Sequence, residues 1–402
     1  MVFSVKRILL VPILLSTALL VTACGSSENN SSMQSNPTDP NQGMYAGPVG
    51  DSENNLNVLV WPGYAEDGNT DPVIDWVKPF EKNTGCEVSV RTFNTPQEAI
   101  NLMQAGGYDI ISAPSEITYN LIENTTVQPI NTYLLENYSS IFDDLKERSW
   151  NKVEENIYGV AQGRGANLLT YNVSRLNQQA INWELTFNPN SDFAGKISVH
   201  DSPMTIAIAA LYLMKANPDL QITNPYALDK NQFDAVMELI TNQKAIVGNY
   251  WADYTSDINA IKNNKVDIGL SWQSTINAVN STETLVRGIK PIEGTTGWVN
   301  NWMIASATKS INCSYKWIDW MISPQTNALT AEWFGEAPSN RDACALTADK
   351  RHCALFNAQD EKFWSDIYYW EYPQTKCLDG RTEIQCVGYE DWFLTWTNFR
   401  NS

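Results

Sequence analysis

The chain has 402 residues, with 27 basic against 45 acidic side chains and a formal net charge of −18. That balance excludes a nucleic-acid binder, which needs a basic footprint, and suits a soluble, self-repelling exported protein. Only two histidines are present, which leaves little for histidine-based catalysis.

Lys6 and Arg7 open the chain, an apolar run follows over 8–20, and Val21-Thr22-Ala23-Cys24 ends it. A basic start, a short apolar segment and small residues before a cut describe an export signal over 1–24. It is too short to favour a permanent membrane span. Cys24 gives the segment the look of a bacterial lipobox, in which the cysteine is acylated and becomes the new first residue. An ordinary signal with a chance cysteine is the alternative. Residues 25–55 are Ser, Asn, Pro and Gly with almost nothing to bury. They are expected to form a disordered tether with an r.m.s. reach on the order of 30 Å.

The body from residue 56 is long enough for two lobes with their own cores. Residues 56–61 read as a buried first strand. Asp71-Pro72 supplies a cap and a first-turn proline for a helix carrying Val73, Ile74, Trp76, Val77 and Phe80; Pro79 is expected to bend it and Gly85 to end it. A second strand runs over 86–93, and Thr95-Pro96 caps a helix that stops at Gly106-Gly107. A third strand spans 108–113 and Pro114 closes it. Strand, helix, strand, helix, strand is the grammar of a parallel sheet covered on both faces. Ligands bind beyond the carboxyl ends of such strands, which here carry Trp61-Pro62-Gly63-Tyr64 and Pro114-Ser115-Glu116.

Gly163-Arg164-Gly165 sits ahead of an apolar run and reads as a crossover between the lobes, with Arg164 as a cleft residue or, on the plainer reading, on a solvated loop. The strand-helix grammar then restarts. A strand covers 196–201, and helices cover 204–215, 231–243 and 257–264. Residues 266–272 form a further strand, and a second crossing runs over 297–304. Helices over 315–322 and 328–334 and a cysteine-bearing tail finish the chain. The expected fold is α/β with two lobes joined by two crossover segments. Lobe 1 takes 56–165 and 298–402, and lobe 2 takes 166–297. Closure on a ligand is the expected motion.

Setting Cys24 aside leaves six cysteines, an even set that reads as a disulfide framework in an oxidising compartment. Cys344 with Cys353 and Cys377 with Cys386 are close in sequence, which would leave Cys86 to meet Cys313. Zinc is the competing reading, but the spacings are too long for a zinc knuckle and only His200 and His352 could assist. No metal or cofactor is expected. Enzyme signals are thin. Gly269-Leu270-Ser271-Trp272-Gln273 lacks the second glycine of a nucleophile elbow, and His200 and Asp201 leave opposite faces of one strand. Aromatics are the stronger signal, because Trp61, Tyr64, Trp272 and Trp298 all fall at predicted strand ends or crossings.

On these residues the body resembles the spermidine/putrescine-type solute-binding proteins of ABC importers, over nearly all of 56–402. The strings that carry the resemblance are Asp75-Trp76-Val77-Lys78-Pro79-Phe80-Glu81-Lys82, Gly163-Arg164-Gly165-Ala166-Asn167-Leu168-Leu169, Tyr315-Lys316-Trp317-Ile318-Asp319-Trp320 and Phe334-Gly335-Glu336-Ala337-Pro338. The resemblance implies the type II periplasmic-binding fold, a binding role with no enzymatic activity, a small-molecule solute, permease partners and an exported, lipid-anchored monomer. It also supports the paired C-terminal cysteines.

Carried over residue by residue, Trp61, Tyr64, Asp201, Trp272 and Trp298 match the family's polyamine site, and Ser115 lies at the same strand ends. Gly63 and Met204 depart from it. Asn300 takes the place of an acid and Arg164 replaces an aromatic. With one acid left, the expectation is a small amine or a ligand carrying both charges, its cationic end on Asp201 and its anionic end on Arg164. An amino-acid-like or carboxylate-bearing solute, or an enzyme on the same fold, is the alternative.

Overall fold

A computed structural model describes residues 43–176, 182–281 and 285–402. The export signal, Cys24 and most of the tether lie outside the described residues. Among those described, no helix is long and apolar enough to cross a membrane.

The first sheet has eight strands. Its spine is parallel: Asn55–Val60 pairs with Glu87–Thr92 on one side and Ile110–Pro114 on the other. Thr295–Ala305 then runs antiparallel to Ile110–Pro114, and Val160–Ala166 antiparallel to Thr295–Ala305. One face is covered by Trp76, Phe80, Trp302 and Trp317. The other packs Leu59, Phe93, Ile100 and Ile111, so the sheet is buried on both sides as the apolar strands require. The second sheet has five strands in the order Val247–Trp251, Ile197–His200, Ile268–Ser271, Leu168–Asn172, Val286–Ile289. The chain therefore enters lobe 2 after Ala166 and returns at Thr295.

Helix ends follow local chemistry. Thr95 caps Pro96–Ala105 by accepting the Glu98 N–H, and Asp229 with Gln232 forms a capping box on Lys230–Lys244. The helix expected from residue 73 starts later, at Val77–Thr84. Pro79 falls in its first turn, where the missing N–H has no intrahelical partner to lose, so it does not bend the helix.

Four expectations need correction. Residues 43–55 are not free tether: Glu53 accepts the N–H groups of Asn312 and Cys313, and the Tyr45 ring lies 5.6 Å from Tyr315. The Glu53 carboxylate supplies the orphan N–H groups at the start of the helix Ile311–Met321 with a partner. The Gly-Arg-Gly stretch is no loop but part of the buried strand Val160–Ala166. A third pass joins the lobes, since Ile367–Tyr369 pairs in parallel with Thr295, Thr296 and Gly297. The tail beyond it belongs with lobe 2. Trp370, Tyr389, Trp392, Trp396 and Phe399 share one apolar cluster with Phe233, Val236 and Trp251. Those side chains cover apolar surface on lobe 2 that would otherwise face water.

Three disulfides join Cys86 to Cys313, Cys344 to Cys353 and Cys377 to Cys386. The first ties segments 227 residues apart, which in the chain-entropy view restricts the unfolded chain most. The last closes the tail loop beside Arg381, which bonds Asp229, the Ala227 carbonyl and Gln232 on lobe 2.

Candidate functional site

The carboxyl ends of the lobe-1 strands converge on a buried polar group. Gly63, with φ near +96°, turns the chain after the first strand and delivers Tyr64 inward. The Tyr64 ring packs 4.2 Å from Phe334 and meets Trp302 edge-on. Its hydroxyl donates to Glu336 Oε2 at 2.5 Å and accepts from Asn300 Nδ2 at 2.8 Å. His352 Nε2 bonds the Glu336 backbone carbonyl at 2.8 Å. Glu336 is fully buried, and its Oε1 has no partner among the described residues. Burial pushes its carboxyl up to about 8, and the Tyr64 hydrogen bond offsets only part of that. The same burial and the neighbouring carboxyl raise Tyr64.

Two glycines make this arrangement possible. A Cβ on Gly163 would lie 2.2 Å from the Glu336 carboxyl carbon, and one on Gly165 2.3 Å from the Trp298 indole. Successive strand residues face opposite ways, so Arg164 is directed to the other side.

On that side Arg164 packs against the tail and, with Gly165, Trp272, Trp298 and Trp364, lines a small cavity. It is 1% exposed. It bonds the Asp144 carboxylate, the Tyr369 hydroxyl at 3.0 Å and the Ala358 carbonyl at 3.2 Å, with its guanidinium 4.1 Å from the Trp364 ring. A buried guanidinium needs acceptors; the terminal nitrogens have them, while Nε has no partner among the described residues.

Asp201 is likewise engaged. Its Oδ1 accepts from Trp396 Nε1 at 3.0 Å and Arg400 Nε at 2.9 Å. The Arg400 guanidinium also lies 3.7 Å from the Tyr250 ring centroid. The C-terminal helix Tyr389–Asn401 thus neutralises the acid assigned to the ligand's amine, and nothing before residue 389 announced it.

Trp272 and Trp298 do come together, with ring centroids 6.2 Å apart and edge-on. Phe334 meets Trp298 at 6.1 Å, and Trp272 Nε1 donates to Asn167 at 2.9 Å. A cavity of about 10 Å³, room for a single water, lies against these indoles and Gly165. Asn300 holds Tyr64 as described. Ser115 is buried at the strand end with its Oγ unpartnered. Trp61 packs on Phe93 at 4.4 Å and is half-buried.

His200 stands beyond Trp272 and stacks on Trp370 at 5.8 Å. Burial lowers its pKa to about 4, which leaves a neutral ring in an aromatic wall. Sequence reasoning missed Glu336 as a site group, although it lies in Phe334-Gly335-Glu336-Ala337-Pro338. An acid flanked by glycine, alanine and proline was the available signal.

Residues 75–353 match the family described as bacterial extracellular solute-binding protein. The chain belongs to this family. As a solute-binding protein it is 23% identical over 292 residues to the putrescine/agmatine-binding protein of Pseudomonas aeruginosa, covering 68% of this chain and 77% of that one. It is 20% identical over 297 residues to the spermidine/putrescine-binding periplasmic protein of Escherichia coli, covering 70% of this chain and 81% of that one. Its fold is shared with the spermidine/putrescine ABC transporter substrate-binding protein of Streptococcus pneumoniae. The TM-score is 0.66 at 18% identity, over 86% of this chain and 99% of that one. The two-lobe α/β architecture of such solute-binding proteins is the one described above, and transport binding, not catalysis, is the family's business. The family also implies an exported protein.

Proposed function

We propose that this protein captures a small organic cation of the polyamine type between its lobes and delivers it to the permease of an ABC importer, with Glu336 receiving an ammonium group. The observation that carries the reading is the buried Glu336 carboxyl, bonded on one oxygen by Tyr64 and unpartnered on the other. A buried acid without a cation stays protonated. An incoming ammonium lets it ionise and forms a charge-assisted hydrogen bond to the open oxygen. The indoles of Trp272 and Trp298 and the Phe334 ring suit the methylenes beside such a group, and aromatic faces favour cations. A ligand carboxylate finds no bidentate partner, since both terminal nitrogens of Arg164 are bound to Asp144 and the tail and only its Nε is left. The amino-acid-like alternative therefore loses its support.

A thermal-shift panel tests this. Putrescine, cadaverine, agmatine and spermidine at about a hundred times Kd stabilise the fold by roughly 2.7 kcal/mol, and γ-aminobutyrate does not. Stabilisation by the amino acid and not by the amines would sink the reading. The protein acts as a monomer anchored through lipid on Cys24. Cys24→Ser then leaves unprocessed precursor and no membrane association, and normal anchoring of that variant refutes the anchor.

A further inference from the structure

We infer that lobe 2 holds a dehydrated monovalent cation, sodium or potassium, in a hydroxyl-lined chamber between its sheet and the helix Tyr254–Lys262. The site is separate from the solute reading above and does not depend on it. The chamber is built on three adjacent strands. Gly269 pairs with Ser198 on one side and Thr170 on the other, and puts no side chain between them. Asp267 and Ser271 stand two residues to either side of Gly269 and so share its face of the sheet. These five residues border a cavity of about 10 Å³, room for one particle the size of water. Ile261 and Val266 close it with apolar groups.

The oxygens around this cavity favour a cation over a neutral water. Ser198 Oγ and Ser271 Oγ donate to Asp257 Oδ1 at 2.7 Å and Oδ2 at 2.6 Å. Their protons are thereby spent, and lone pairs are what they have left for the cavity. Thr170 is 3% exposed, and neither its Oγ1 nor Asp267 Oδ1 has a hydrogen-bond partner among the described residues. Arg175 stands at the rim with its Nε 3.7 Å from Asp267 Oδ1, beyond hydrogen-bond reach. Asp257 itself is fully buried, four residues before Ile261 and therefore on the same helix face. Burial raises its carboxyl to about 6 and the two hydroxyl bonds oppose the rise, so near neutral pH it is ionised. A buried charge is paired or coordinates a metal, and here its hydrogen-bond partners are neutral hydroxyls. A cation in the cavity supplies the countercharge through those hydroxyls. A water would satisfy Thr170 and leave the charge as it was.

The chamber lies under the lobe-2 part of the aromatic wall. Ser198 comes two residues before His200, the last of its strand, and Ser271 comes directly before Trp272. An ion held by both serines braces the two strand ends that carry those rings.

Thermal melts of the full-length protein, without solute and at one ionic strength, test the site as choline chloride is replaced stepwise by sodium or potassium chloride. At about a hundred times Kd the ion that fits raises Tm by roughly 2–4 °C over choline, which is too large to enter. Thr170→Val keeps the side chain's shape and removes the free hydroxyl, and Asp257→Asn removes the charge. Each variant is expected to lose most of the rise, and Thr170→Val carries the test if Asp257→Asn does not fold. Equal Tm in all three salts overturns the site and leaves a cavity that holds water only. A rise that the variants keep in full also overturns it, because the ion then acts on the acidic surface. No solute enters these melts, so a failure of the polyamine reading leaves their outcome untouched.

Discussion

Replacing Glu336 by glutamine is expected to strengthen the empty protein and ruin its binding. The folded carboxyl titrates at about 8, against 4.5 for the free side chain. Because the folded value is the higher one, stability is fully kept below about 4.5 and is lost as pH rises through about 8. Each pH unit in that window costs about 1.36 kcal/mol. At pH 7 the empty fold therefore gives up on the order of 3 kcal/mol to keep this acid protonated. Glutamine has nearly the same shape, stays neutral and still accepts from Tyr64. Its amide hydrogens need an acceptor, at a cost of about 1–3 kcal/mol, so the net gain at pH 7 is on the order of 1 kcal/mol. Amine affinity moves the other way, by the roughly 1.5–3 kcal/mol of a hydrogen bond to a charged group. The assay is a set of thermal melts from pH 5 to pH 8.5, with and without putrescine. Wild type should lose Tm steadily across that range and recover it with ligand. Glu336→Gln should give a flatter profile and little response to ligand. A variant whose melts keep the wild-type pH slope and ligand shift would refute the reasoning.

Three further outcomes are expected. Since the carboxyl of Glu336 titrates at about 8 and binding demands its ionised form, amine affinity rises as pH approaches that value. Calorimetry in buffers of different ionisation enthalpy should show proton release near neutrality, and a flat profile contradicts it. Gly163→Ala places a Cβ 2.2 Å from the Glu336 carboxyl carbon, so it costs roughly 1–3 kcal/mol and weakens amine binding; an unchanged melt and titration would contradict it. Arg164→Met should cost roughly 2–3 kcal/mol in denaturant unfolding, less than a fully buried pair, because the Asp144 side chain is 40% exposed. Amine affinity should be preserved, and its loss would give Arg164 a direct role in holding the solute.

Much of the architecture was legible because it rests on local signals. Thr95-Pro96 and Gly106-Gly107 bracket a helix wherever they fall, and the apolar runs at 56–61 and 108–113 mark strands buried on both faces. The short Cys344–Cys353 and Cys377–Cys386 loops were likewise visible as close pairs. The site was legible only in its aromatics. Trp272 and Trp298 were placed by strand ends and crossings, and they do meet.

Charge partners were not legible, because they come from positions far apart in the chain. Arg164 finds Asp144 and Tyr369, and Asp201 finds Arg400 across 199 positions. By itself the sequence determined which segments become strands and helices, since strand period, caps and glycine stops act within a few residues. Only the tertiary structure decided which charges remain free for a solute. The terminal nitrogens of Arg164 are spent on Asp144 and the tail, while Glu336, bonded by Tyr64 on one oxygen, keeps the other without a partner among the described residues.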